Sequence, residues 1–142
     1  MGLKRTLADK LFSDYIRQRD GYNCQRCKKH IDPPTSYIQC SHLFGRASYS
    51  VRFDEDNAVA LCGMIGYFSG GCHGYFEANP VEHRDFFYKR LGRKRFNALC
   101  QRARKDLKHF YPNKKVQAKA MRTYYREKIK ALKPTEVILG AR

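Results

Sequence analysis

No apolar run in this 142-residue sequence approaches the roughly 20 residues needed to cross a bilayer. The opening MGLKRTLADKLF also lacks the apolar stretch of a secretory signal, so no membrane role is expected and the cytoplasm is the expected compartment. MGLKRT fits the loose myristoylation pattern, but it reads equally as a helix start with Thr6 as N-cap and Asp9 three residues later, and lipidation is set aside. No internal repeat occurs, which excludes a solenoid or propeller. Acidic residues are scarce in one part only. Residues 84–142 carry 4 Asp/Glu against 19 Lys/Arg, a balance of +15, whereas residues 1–83 carry 9 against 10, a balance of +1. A basic extension on a nearly neutral module suits a polyanion held beside a site, in competition with a merely solvated lysine-rich tail; the ten tyrosines and nine phenylalanines that accompany the charge favour nucleic acid.

Six cysteines in a reducing compartment are ligands or plain thiols more readily than disulfides. Cys24 and Cys27 form a Cys-x-x-Cys knuckle, and Cys62 with Cys72 can supply two more thiolates, completing the tetrahedral set that a structural zinc prefers. No βαβ pattern follows Cys27, which argues against a thioredoxin-like redox pair; four buried thiols are the plain alternative. Cys40 and Cys100 read as small buried hydrophobes, with Cys40 as reserve ligand should Cys72 lie too far away.

The expected fold class is α+β. TLADKLFSDYIRQRDGYNC reads as an amphipathic helix with Leu7, Leu11, Tyr15 and Ile16 on one face and Gly21 as its stop. Short strands are expected through Tyr37, Ile38 and Cys40 and through NAVALC, pairing as a hairpin with a long polar tip. GMIGYFSGG is too rich in glycine for a regular helix. CHGYFEANP, VEHRDFFYKRLG, RKRFNALCQRARKDLKHFY and KKVQAKAMRTYYREKIKAL read as helices, the last ended by Pro134 with a loose tail or partner-dependent strand beyond. The division expected is a zinc-stabilised core over 1–92 and a basic helical extension over 93–142.

Within CSHLFGRASYSVRFDEDNAVALC, His42 ends the first strand and Asn57 opens the second, and His73 begins the helix that follows. Hydrolysis of a phosphodiester needs a base for water and a divalent cation against the developing charge, and this order can deliver both to one phosphate. DYIRQRDGYNCQRC, CSH, RFDEDNAVALC and GCHGYFEANPVEHR together resemble the HNH (ββα-metal, His-Me finger) endonucleases, most nearly the phage NinG (Rap) recombination nucleases and more distantly the phage endonuclease VII group. The likeness covers roughly residues 12 to 92.

The resemblance implies a small zinc-clipped ββα-metal core and a metal-dependent DNA endonuclease for branched or recombination-intermediate DNA, in the host cytoplasm if phage-encoded. It makes His42 the general base, Asn57 the residue that pins the loop, and His73 the ligand of a catalytic Mg²⁺ or Mn²⁺, with Glu77 on the same helical face as a second ligand. Cys24, Cys27, Cys62 and Cys72 correspond to its structural zinc ligands. One departure is Ser41, where many such enzymes place an acidic or histidine metal ligand; Asp54, Asp56 or Glu77 could substitute. Extra residues within GMIGYFSGG could form a loop that touches DNA through Tyr67 and Phe68 or simply packs. His42 could instead be a core histidine, Asn57 a turn residue, and His73 a zinc ligand. The expected partner is double-stranded or branched DNA, held by Arg93, Lys94, Arg95, Arg102, Arg104, Lys105, Lys114, Lys115 and Lys119, with RNA open on charge alone. Met121, Tyr125 and Ile129 offer a stripe for homodimerisation. The competing reading is a zinc-stabilised DNA-binding module without catalysis.

Overall fold

Thr6 caps the first helix, α1 (Leu7–Arg19), with its hydroxyl accepting from the Asp9 amide while the Asp9 carboxylate accepts from the Thr6 amide. In the computed structural model, residues 3–63 and 70–140 are described, with side chains as far as residue 132. The fold is α+β. Two strands, β1 (Ile38–His42) and β2 (Ala58–Cys62), pair antiparallel from Ile38↔Cys62 to His42↔Ala58. The hairpin expected from alternation is present, and its long tip carries 3-10 turns at Tyr49–Val51 and Glu55–Asn57. After it come α2 (Gly71–Ala78), α3 (Pro80–Leu91) and α4 (Arg93–Ala103), a 3-10 turn at Leu107–His109, and α5 (Lys114–Gly140).

β2 is buried along its whole length. Its free edge is closed by the segment that follows α1: the Ala60 amide donates to Asp20 Oδ2 at 2.9 Å, and the Ala60 carbonyl accepts from the Gln25 amide at 2.9 Å. A buried strand edge with both groups paired has no cause to seek another strand. Gly21, at φ +65°, makes the left-handed turn that sends the chain from α1 to this edge.

Two apolar clusters share the hairpin. One gathers Ile38, Val51, Val59, Leu61, Phe76, Phe87, Phe96 and Leu99, so α2, α3 and α4 pack on one side. The other gathers Ala8, Phe12, Tyr15, Ile16, Phe53, Ala58 and Tyr125, so α5 lies against α1. Each fully buried aromatic here contributes about 1.5–3 kcal/mol. The buried face of α1 is centred on Phe12 and Ile16 rather than on Leu7, which is 48% exposed. Met121 and Ile129 pack partly buried on that second cluster, and the Tyr125 hydroxyl donates to the Phe53 carbonyl. Of the stripe read as a dimer surface, Tyr125 is thus buried against α1 of the same chain, while Met121 and Ile129 are only partly covered. α5 also continues through Pro134, where a stop was expected, and the expected loose tail or strand is helical to Gly140. Proline deletes one amide donor and can be carried inside a helix whose other hydrogen bonds persist. Among the described residues no helix is long and apolar enough to cross a membrane.

Candidate active site and metal clip

The four cysteines Cys24, Cys27, Cys62 and Cys72 meet, with every sulfur within 4.8 Å of the others. Cys27 and Cys62 sulfurs are 3.7 Å apart, close to the roughly 3.8 Å edge of a tetrahedron with 2.3 Å Zn–S bonds. The cluster could hold a metal ion, and its donor set suits structural zinc. Gly71 makes the meeting possible. At φ +71° it turns the chain into α2, and a Cβ there would lie 2.8 Å from the Cys62 carbonyl oxygen. The turn lets the Cys72 amide donate to Cys62 Sγ at 3.4 Å. Arg26 Nη1 donates to Cys72 Sγ at 3.4 Å while its guanidinium lies over the Tyr75 ring, placing a cation beside the thiolates. Cys40 and Cys100 stand outside the cluster, and burial pushes the Cys40 thiol up to about 12.

His42, at the end of β1, puts Nε2 3.1 Å from the Arg52 carbonyl oxygen. A carbonyl only accepts, so Nε2 carries the proton and Nδ1 keeps its lone pair. Burial lowers the imidazole to about 4, against the bond to Arg52 that raises it, so the ring is neutral at physiological pH. Phe12 lies against it with ring centroids 5.5 Å apart. Asn57 is fully buried and ties the loop on both sides of this point: Oδ1 accepts from the Phe44 amide at 2.8 Å, and Nδ2 donates to the carbonyls of Phe44 at 2.9 Å and Val51 at 3.0 Å. The Asn57 backbone carbonyl accepts from the Leu43 amide at 2.9 Å.

His73, one residue past Cys72, meets the other face of β1. Its Nδ1 donates to Gln39 Oε1 at 2.5 Å, leaving Nε2 3.5 Å from Glu77 Oε1. With the proton on Nδ1, a nitrogen lone pair and a carboxylate face each other with nothing between them to share, an arrangement that a cation satisfies. Two ligands on adjacent octahedral corners are about 3 Å apart at 2.1 Å bonds, so the 3.5 Å between His73 Nε2 and Glu77 Oε1 is wider than such an edge. Among the described residues the only cluster of three or more metal-ligand side chains is that of the cysteines, so His73 and Glu77 are a pair and not a closed site.

His42 and His73 line one cleft of about 360 Å³, together with Arg5, Asp9, Ser13, Arg17, Ser36, Ile38, Gln39, Cys40 and Arg46. Ser41 is 2% exposed and shares a 3.4 Å hydrogen bond with His83 Nε2 of α3. A larger cleft of about 640 Å³ holds Asp54 and Asp56, where Arg102 binds both and Arg95 binds Asp56. That cleft contains none of the imidazoles, so chemistry is better assigned to the smaller one. Asp54 and Asp56 are therefore not substitutes for the missing ligand beside Ser41, because the basic helix α4 occupies them. Two of the cations read as DNA contacts, Arg95 and Arg102, are the ones so engaged.

Sequence reasoning passed over Gln39 and His83. The period of two along β1 places Gln39 and Ser41 on one face and Cys40 and His42 on the other, and that alternation is the signal that could have found Gln39. Tyr67 and Phe68 lie outside the described residues. Comparison with protein-family models, with curated proteins and with solved structures returns no match.

Proposed function

We propose that this chain is a metal-dependent DNA endonuclease of the HNH type, hydrolysing phosphodiester bonds in branched or recombination-intermediate DNA. The observation that carries the reading is that His42 and His73, reached from different elements, line one cleft whose walls bear Arg5, Arg17 and Arg46. The branched substrate rests on the NinG likeness alone.

In this reading His42 Nδ1 takes the proton of the attacking water while the Arg52 carbonyl fixes the tautomer and steadies the imidazolium that forms. Asn57 keeps the loop from swinging the ring away. His73 and Glu77 would hold a catalytic Mg²⁺ or Mn²⁺, with Gln39 holding His73 Nδ1 so that Nε2 is left for the ion. Such an ion, when bound, would supply positive charge against the charge that develops on the phosphate. Zinc in the cysteine clip would hold the start of α2 to β2 and so keep His73 beside β1. The lysines and arginines of 93–142 that are not paired within the chain neutralise flanking phosphates.

Ser41 favours a second reading, a zinc-stabilised DNA-binding module without catalysis, since a buried hydroxyl bonded to His83 replaces a carboxylate ligand. Cleavage of plasmid, branched DNA and RNA with Mg²⁺ or Mn²⁺ separates the two. The native chain should cut DNA, and His42→Ala should lower the rate by about 10²-fold or more. Cleavage undiminished in that variant removes His42 from its role. Tight binding by the native chain with no cleavage under either ion leaves the module.

A further inference from the structure

The larger cleft, of about 640 Å³, opens between the hairpin tip, α4 and α5 and has no part in the chemistry assigned to the histidines. Its apolar wall is aromatic. Phe110, Tyr111 and Tyr124 line it beside Met121, and Phe110 and Tyr124 remain 43% and 44% exposed. Exposed rings in a cleft of this size, rimmed by polar groups, suit a flat ligand with apolar faces.

The three carboxylates at this cleft do not make it a seat for a cation, because each is already answered. Arg102 binds Asp54 and Asp56, Arg95 binds Asp56, and Glu55 accepts from Tyr15 and Tyr124 with Lys128 Nζ 3.5 Å away. One acceptor is left open. Gln117, only 3% exposed, lines the cleft and donates through Nε2 to the Tyr49 carbonyl at 2.8 Å, while its Oε1 takes no hydrogen bond among the described residues. An amide oxygen held in so buried a side chain calls for a donor, and a ligand can bring one. The ligand so described is uncharged and flat, with an N–H on its edge. A nucleobase has all three properties, and bases taken out of the stack are held by aromatic faces together with hydrogen bonds to the pairing edge. Cations for the attached phosphates stand on the same helix, where Lys115, Lys119, Arg122 and Arg126 enter no salt bridge among the described residues.

We infer that this second cleft receives one unpaired nucleobase of a bound DNA strand, stacked on Phe110 or Tyr124 with an edge N–H donating to Gln117 Oε1. A paired base has its edge engaged and its faces covered, so only an unpaired one enters. The nucleobase rests on this cleft; DNA as its source rests on the DNA binding common to both readings above. The cleft thereby gives a physical ground for preferring interrupted over plain duplex, one that does not involve the histidine cleft.

The test uses the full chain, zinc-loaded, without Mg²⁺ or Mn²⁺ so that no DNA is cut. Fluorescence anisotropy compares a duplex carrying one bulged 5-iodouracil with the same duplex carrying an abasic bulge. Irradiation then links the iodinated base to the ring beneath it, and mass spectrometry locates the adduct. The bulged base should bind at least about tenfold more tightly than the abasic site, as one base–aromatic stack provides. The adduct should fall on Phe110 or Tyr124. The double variant Phe110→Ala/Tyr124→Ala should lose both signals, while Phe110→Tyr/Tyr124→Phe should keep both, which separates a lost stack from a lost fold. Equal binding of base and abasic site, an equal adduct from a paired iodouracil, or a preference undiminished in the alanine variant would overturn the inference. So would suppression of the adduct by equimolar dTMP, which would make this a site for free nucleotide. If DNA binds with no such preference, the inference falls and DNA binding stands; no binding of DNA at all overturns both. If the preference is found and no DNA is cut once Mg²⁺ or Mn²⁺ is added, the inference stands and the nuclease reading falls.

Discussion

Arg52 and Asp9, 43 residues apart, form a two-pronged ion pair inside the protein. Nε donates to Oδ1 at 2.9 Å and Nη2 to Oδ2 at 2.7 Å, with 2% and 5% of the side chains exposed. The same arginine offers its backbone carbonyl to His42 while its side chain bonds the carbonyls of Lys4 and Arg46, so one residue joins the segment before α1, the hairpin tip and the imidazole. Removing one partner strands the other as a buried charge. Arg52→Ala should cost about 3–5 kcal/mol in urea unfolding. Replacing both with apolar residues of similar size should cost less than either single change, and a double variant as unstable as Arg52→Ala would show that the pair is not what the arginine contributes.

Asn57→Ala leaves the Phe44 amide and the carbonyls of Phe44 and Val51 without their partners in a fully buried place. A stranded buried group costs about 1–3 kcal/mol, so a loss of about 3 kcal/mol or more is expected. Asn57→Asp keeps one acceptor and loses both donors, and it should be intermediate or worse. A thermal melt that places Asn57→Ala within about 0.5 kcal/mol of the native chain would mean the loop is held by other contacts.

His42 makes stability depend on pH. Burial holds the folded imidazole near 4, below its ordinary 6.5. Between these values the unfolded chain binds a proton that the folded chain refuses, so this contribution is fully present above about pH 6.5 and shrinks as pH falls toward 4. The whole effect amounts to about 3 kcal/mol. His73 and His83 are also lowered by burial and bend the curve in the same direction. The measurable quantity is therefore the difference between the native chain and His42→Gln: the gap in unfolding free energy should narrow on acidification, and a gap constant from pH 7 to 4.5 would contradict the buried neutral ring.

What could be read beforehand is local in the chain. The Thr6–Asp9 capping box, the strands of the hairpin, the break at Asn79-Pro80 and the Cys24–Cys27 knuckle follow from spacings within short stretches, and the structure contains each of them. The Asp9–Arg52 pair could not be read, because nothing local distinguishes a helix-capping aspartate from one that also takes a buried arginine. The exposure of Leu7 was hidden for a related reason. The sequence periodicity gives α1 an apolar stripe, but where α5 crosses that stripe decides which part is covered, and Tyr125 settles over Phe12 and Tyr15. The cleft arginines share this character, since Arg5, Arg17 and Arg46 converge only once α1 lies across the hairpin.

The boundary drawn after residue 92 separates charge, not packing. Phe96 and Leu99 of α4 are buried in the cluster with Leu61 and Phe87, and Tyr125 of α5 is buried against α1. Gln117 Nε2 donates to the Tyr49 carbonyl at 2.8 Å, and Arg102 holds Asp54 at 2.7 Å, so polar contacts cross the same line. Losing burial of Phe96, Leu99 and Tyr125 alone removes about 6 kcal/mol, comparable with the entire stability of a small domain. Residues 1–92 expressed alone and loaded with zinc should therefore bind a hydrophobic dye such as ANS and unfold without a sharp transition, because zinc fixes the knuckle and leaves the Phe12 and Phe87 surfaces bare. Residues 1–132 should keep a single cooperative transition, since α5 is then cut beyond Tyr125 and Ile129. A sharp transition in 1–92 at native-like stability would instead establish the first part as an independent unit.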